Sequence, residues 1–169
     1  MTVFQKITKE ELRELLVSNW MTHDAMWLNY MAKEYGMEAT NTINKIAARM
    51  MARVEAKRVK KLLKMENPKN LEEFKVFITN IFELTQAHFI NFNFSFQELD
   101  TIFWHIPQCF AFEGMTKTGN IAQYDCGIKY RLMGWLDELN VSFEIQPEFT
   151  GCLMYQNGNC GMTIKLNFG

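Results

Sequence analysis

The sequence predicts an α+β fold in which N-terminal helices and two later helices pack on one antiparallel sheet of about five strands. Three observations carry this reading. Apolar residues recur at three- and four-residue steps through the first half of the chain; the period drops to two after His88; and the elements come in blocks of helix and strand rather than in strict alternation. A length of 169 residues suits one domain, 1–169, and no repeat, low-complexity run or linker divides it.

Thr8-Lys9-Glu10-Glu11 has the form of a capping box, and Leu12, Leu15 and Leu16 follow at helical spacing, which predicts a first helix from Thr8 to about Ser18. Thr22 can cap a second helix with Met26, Trp27, Tyr30 and Met31 on one face, ended by Gly36. From Met37 to Lys64 the positions Ile43, Ala47, Met50 and Val54 keep helical period without a breaker, so one long helix is expected, stopped before Pro68. Asn70-Leu71-Glu72-Glu73 starts a fourth helix whose apolar face holds Phe74, Phe77, Ile78, Ile81 and Phe82.

Asn91 to Phe96 alternates polar and aromatic residues, the pattern of a strand with one buried face, and Thr101 to Ile106 is expected to return antiparallel after the turn Gln97 to Asp100. Pro107 can open a short helix ending at Gly119; Asn120 with Gln123 can cap the next, running to about Leu139 and burying Ile128, Leu132 and Trp135. Strands Val141 to Gln146, Phe149 to Gln156 and Cys160 to Phe168 complete the sheet, with Asn157-Gly158 as a hairpin turn.

Composition excludes several classes. With 48 % hydrophobic and 22 % charged residues and a net charge of -1, the chain is neither disordered nor fibrous. The first residues are charged and hold no apolar core of a leader, and no uncharged stretch reaches the ~20 residues of a spanning helix, so a cytoplasmic protein with reduced thiols and no membrane contact is expected. Lys45, Arg49, Arg53, Lys57, Lys61 and Lys64 form a basic ridge in a segment where eight basic residues oppose Glu55 alone. A solvated helix face balanced by acids elsewhere explains it better than nucleic acid, because the pI is about 6.3 and the ridge has no stacking aromatics.

The residues able to carry chemistry lie mostly in the second half. Cys109, Cys126, Cys152 and Cys160 are thiolate donors of the kind that hold zinc or iron, though gaps of 17, 26 and 8 contain no Cys-x-x-Cys knuckle. Whether Cys152 and Cys160 share a face depends on the loop: a two-residue turn separates them, and a three-residue loop with a bulge joins them. Cys109 in the first turn of a helix opened by Pro107 could act as a nucleophile, with His105 as base and Glu113 one turn on; the plainer alternative is that both simply pack. Trp20, His23, Asp24 and Trp27 form a second cluster, either a helix start or a pocket wall. Asn41, Asn44 and a Glu55–Arg58 pair read as a structural polar seam.

The residues Asn19-Trp20-Met21-Thr22-His23-Asp24 with Asn44 and Glu55, then Cys109, Gly119, Tyr124-Asp125-Cys126-Gly127, Gly134-Trp135, Cys152 and Cys160, resemble a family of uncharacterised prokaryotic proteins, a domain of unknown function covering nearly the whole chain. More distantly, the chain is similar to 4-vinyl reductase-type ligand-binding domains and to proteins grouped as 2-amino-thiazoline-4-carboxylate hydrolase. The resemblance implies an α+β ligand-binding fold with a metal or ligand site at the cysteines, and transfers no catalytic residue.

The leading expectation is therefore a small-molecule-binding domain whose pocket lies between the aromatic sheet and the helices, lined by Trp27, Phe94, Trp104 and Tyr124. The four cysteines cluster beside it as a metal site, zinc first and iron second. The alternatives are a hydrolase of a small heterocyclic acid using Cys109 and His105, by thiol or metal-activated water, and a homodimeric interaction protein.

Overall fold

A computed structural model describes residues 2–169; Met1, included in the one-domain reading, lies outside the described residues. The chain forms α1 (Lys9–Leu63), α2 (Leu71–Thr85), β1 (Asn91–Gln97), β2 (Thr101–Gln108), α3 (Phe110–Lys117), α4 (Gly127–Leu139), β3 (Ser142–Gln146), α5 (Leu153–Asn157) and β4 (Gly161–Asn167), with short 3-10 turns at Val3–Gln5 and Ile121–Gln123. Among the described residues no helix is long and apolar enough to cross a membrane.

The three helices expected between Thr8 and Lys64 are one continuous run broken at a single residue. The capping box at Thr8 is present, Thr22 instead returns its hydroxyl to the Ser18 carbonyl inside the helix, and only Gly36, at φ 78° and ψ 167°, leaves helical geometry. That conformation is open to glycine because it has no Cβ. It divides α1 into arms 9–35 and 37–63. Leu28 and Asn44, Asp24 and Ala47, and Met21 and Met51 stand at nearly equal sequence distance from Gly36, and all six line one cavity, so the arms fold back to face each other.

The sheet has four strands, not about five, in the order β1-β2-β4-β3, all antiparallel. Alternation places Ile102, Trp104 and Ile106 of β2 with Met162, Ile164 and Leu166 of β4 on the buried face. In register, Trp104 opposes Met162 and Ile102 opposes Ile164. α2 lies on this face, its start fixed by Asn70, whose side chain accepts the Glu73 N–H at 2.9 Å. Phe74, Phe77, Ile78, Ile81 and Phe82 of α2 join Leu132, Trp135, Leu136 and Leu139 of α4 over the strands. Full burial of each such side chain contributes about 1.5–3 kcal/mol, so this layer is the main source of stability.

The segment Phe149 to Gln156, expected as a strand, is a loop followed by α5. β4 already has β2 and β3 on its two sides, which leaves no edge for a hairpin partner. Asn157-Gly158 serves instead as a helix end: Gly158 adopts φ 72° and its N–H reaches the Met154 carbonyl, since a left-handed residue closes a helix as readily as it turns a hairpin. Pro107 opens no helix but stays in β2, beyond the stretch paired with β4, and the helix starts only after Cys109. Asn120 to Gln123 forms a 3-10 turn, and α4 begins at Gly127.

The first half of the basic ridge is not a solvated face. Lys45 meets Asp125 at 2.9 Å, Arg49 holds Asp137 through two hydrogen bonds of 2.6 and 2.9 Å, and Arg53 approaches Glu138 at 3.9 Å, as does Lys60 beside the ridge at 3.4 Å. Lys45, Arg49 and Arg53 face α4 and the loop before it, and the acids that balance them lie there, whereas Lys57 and Lys61 are exposed.

Candidate functional site

Three of the four cysteines occupy the same kind of position. Cys109, Cys126 and Cys152 are the residues immediately before α3, α4 and α5, each in extended conformation. Cys160 precedes β4, where its carbonyl accepts the Ile106 N–H at 2.9 Å, so it sits at the end of the sheet from which the chain enters α3. Cys109, Cys126 and Cys160 pack into one core layer and Cys152 into the cluster beside it, with Ala111, Phe112 and Met154 common to both; ionising any of Cys109, Cys152 or Cys160 would disfavour ionisation of Cys126.

The link that gathers them is Asp125. One carboxylate oxygen accepts the Lys45 ammonium at 2.9 Å, the other accepts the Gly151 N–H at 3.2 Å, and the Asp125 N–H donates to Asn41 at 3.0 Å. Asn41 in turn donates to the Gln123 carbonyl. The residue before Cys126 is thus tied to the residue before Cys152 and to the second arm of α1. Burial opposes ionisation of Asp125, but the Lys45 ammonium and the Gly151 and Cys126 N–H groups outweigh it and hold the carboxyl below its ordinary value. A carboxylate with a lowered native pKa contributes stability above its unfolded value of about 3.9, and that contribution is lost as pH falls through the native value. Asp125→Asn is expected to lower stability at neutral pH and flatten the acid side of the stability curve, measured by urea unfolding between pH 7 and 3.

Burial holds Cys109, Cys126 and Cys160 toward the protonated form. Burial pushes Cys126 and Cys160 up to about 12. Cys109 is raised by burial too, and the N–H groups of Phe112 and Ala111 at the start of α3 only partly offset this. No thiol makes a capping hydrogen bond of ordinary geometry. Among the described residues no three His, Cys, Asp or Glu side chains are arranged to hold a metal ion.

Beside the thiols lies a cavity of about 200 Å³ between the arms of α1, α3 and the start of α4. Trp20, Met21, Met51 and Phe110 give it apolar walls; Asp24, Asn44, Tyr124 and Arg131 are its polar groups. Arg131 is fixed by Glu55 through hydrogen bonds of 3.1 and 2.7 Å, and Glu55 also accepts the Trp135 indole N–H at 2.7 Å. The guanidinium lies between two rings, 4.8 Å from Trp20 and 5.1 Å from Trp135. Asp24 lies at the rim, exposed as a residue, yet its carboxyl is desolvated enough to raise its pKa, against the pull of Arg131 and His23.

Tyr124 joins the two features. Its hydroxyl accepts the Gly127 N–H at 3.0 Å and is held protonated by burial first and by the nearby cysteines second. A Cβ at Gly127 would meet the Asn44 amide at 2.8 Å, so this glycine lets the cavity's polar wall close against α4.

The family of unknown function DUF6125 matches residues 5–127 of this chain. The chain belongs to that family. The DUF6125 match takes in both arms of α1, α2, β1, β2, α3, Cys109 and Cys126, and ends where α4 begins. No curated protein and no solved structure matches the chain, so no similarity to 4-vinyl reductase-type domains or to 2-amino-thiazoline-4-carboxylate hydrolase is shown.

Set against the sequence expectations for this DUF6125 chain, the structure brings Cys109, Cys126, Cys152 and Cys160 to one neighbourhood and puts Tyr124 in the cavity wall. It does not bring His105 to Cys109. His105 stacks on Phe103, ring centres 6.4 Å apart, on the sheet face opposite Trp104 and Ile106. Phe94 and Trp104 pack with Phe82 at 5.0 and 5.2 Å, and the space among the sheet and helices there is only about 10 Å³, so the cavity lies between helices and not against the sheet. Trp27 is 56 % exposed and lines no part of this cavity. Arg131 was not singled out by its sequence, although a lone arginine beside the stripe Ile128, Leu132 and Trp135 is a signal for a buried partner. Glu55, read as a partner of Arg58, is that partner.

Proposed function

We propose that the protein is a small-molecule-binding domain whose ligand enters the cavity between the arms of α1 and the helices α3 and α4. The observation that carries this reading is the cavity's makeup: about 200 Å³, mostly apolar, with Asp24, Asn44, Tyr124 and Arg131 converging from three segments. The walls suit a flat, largely apolar molecule, and the preset Arg131 and the Tyr124 hydroxyl would orient its polar edge. Met21, Met51 and Met115 all line the space, so their methyl groups report on it directly. Titrating methyl-labelled protein with indole should shift those three resonances and spare the others, and Ala48→Phe, which fills the cavity, should abolish the shift. Unmoved methyl signals across indole and a series of similar aromatic probes would reject the reading.

The cysteines supply the second part of the proposal, a thiolate metal site beside the cavity, with zinc as first choice and iron second. Its support is the convergence of four soft donors, three of them at helix starts, where the backbone N–H groups and helix dipole favour the charge that ligation places on sulfur. Side-chain rotation of the thiols would complete the coordination, and a bound ion would replace the protons that burial retains. Protein purified without chelator should contain close to one zinc per chain with its thiols protected until denaturation, and Cys126→Ser should lose most of the metal. Four freely titrating thiols and no metal would return the cysteines to packing.

A further inference from the structure

We infer that the outer face of the α1 hairpin is the interface of a homodimer, two copies pairing their hairpins antiparallel about a two-fold axis. The second arm carries two apolar stripes separated by its charged and amide residues. Ala52, Ala56 and Val59 are buried against the core, yet Ile43, Ile46, Met50 and Val54, at steps of three and four residues on the opposite side, are 48 to 63 % exposed. A helix with apolar stripes on two sides is normally covered on both. The stripe continues onto the first arm, where Trp27 and Met31 share a groove with Ile43 and Ala47 between the arms. Trp27 also joins Met26, Tyr30 and Tyr35 along the outside.

The size and charge of this face select the occupant. The eight exposed side chains from Met26 to Val54 named here are 48 to 66 % exposed. At roughly 100 Å² each they present about 800 Å², one partner's share of a standard interface and well above scattered surface apolarity. The bend of the hairpin carries exposed Glu34 and Glu38, with Lys33 lying over the Tyr30 ring. At its open end the second arm carries Lys57, Arg58 and Lys61, which are exposed, make no ion pair among the described residues and, with Lys9, outnumber the exposed acids Glu10 and Glu11 at the start of the first arm. Opposite charge at the two ends means that an antiparallel copy sets acid against base twice, whereas a parallel copy sets like against like. An isologous two-fold contact is the closed form such a self-complementary surface allows, and two paired helical hairpins make a four-helix bundle.

Sedimentation equilibrium of the full chain is the test. The wild type should sediment at twice 19.9 kDa at about 10 µM. Ile46→Glu, which places a charge mid-stripe, should run as a 19.9 kDa monomer with unchanged circular dichroism. Lys57→Glu with Lys61→Glu alters only exposed charges, leaves the fold intact, and should weaken association at least tenfold. Zero-length crosslinks between Glu34 and Lys57 or Lys61, found as mixed pairs from isotopically distinct copies, should span the two protomers. A wild type that stays monomeric at ten times that concentration, or a dimer unaffected by both Ile46→Glu and the charge reversals, would overturn the inference.

Discussion

Replacing Glu55 with alanine is expected to destabilise the protein by about 3–5 kcal/mol, the cost of breaking a buried ion pair by removing one partner. The Arg131 and Glu55 side chains are only 11 % and 16 % exposed, and Glu55 accepts three hydrogen bonds, two from Arg131 and one from the Trp135 indole. Without the carboxylate, the guanidinium stays between Trp20 and Trp135 with its charge uncompensated, and the indole N–H loses its acceptor. For a chain of this length the loss corresponds to a fall in Tm of roughly 6–20 °C. The double variant Glu55→Met with Arg131→Met removes both charges at similar volume and should recover most of the stability. It should not recover ligand binding, because Arg131 is then missing from the cavity. If Glu55→Ala melts within 2 °C of the wild type, roughly the effect of 1 kcal/mol or less, the pair is not the anchor described here.

Gly134→Ala is expected to cost about 1–3 kcal/mol, the usual penalty of overpacking, despite a gain of up to about 1 kcal/mol in helix propensity. A Cβ at this position would stand 2.2 Å from the Arg49 carbonyl oxygen and 2.8 Å from the Ala52 Cβ. The first contact is with backbone, which cannot rotate away, so α4 and the second arm of α1 must separate. Ala52→Gly relieves only the second contact and should fail to rescue the variant. Because the same crossing sets the position of Arg131 and of the α4 start, Gly134→Ala should also weaken probe binding in the cavity. Urea unfolding of the single and double variants checks the order, and rescue by Ala52→Gly would show that the carbonyl contact is relieved by other means.

The legible part of this chain was whatever depends on residues near one another in sequence. The capping box at Thr8, the Asn70 start of α2 and the two-residue period of β1 and β4 appear in the structure as local pattern predicts. Gly36 is the break that the sequence predicts, but the further break expected between Ser18 and Thr22 is absent, because Thr22 bonds back to Ser18 within the helix instead of capping a new one. Asn157-Gly158 misled because a left-handed glycine ends a helix as well as it turns a hairpin, and the choice depends on whether β4 has a free edge.

The site divides in the same way. Residue type alone marked Cys109, Cys126, Cys152 and Cys160 as donors and Tyr124 as a wall residue, and composition excluded disorder and a fibrous chain. Their convergence depends on Asp125 tying Gly151 to the second arm of α1, a contact across 26 residues on one side and 80 on the other. Likewise His105 and Cys109 are four residues apart, a spacing that would keep them on one face of a continuous strand, yet His105 stacks on Phe103 while Cys109 enters the core, because the chain leaves β2 for α3 between them. The sequence by itself determined the starts of α1, α2, β1 and β2 and which side chains have donor chemistry, since capping, periodicity and donor type are local. Only the tertiary structure decided which of them meet, since the fold-back at Gly36, the close crossing at Gly134 and the pairing of Glu55 with Arg131 each depend on surfaces brought together from distant parts of the chain.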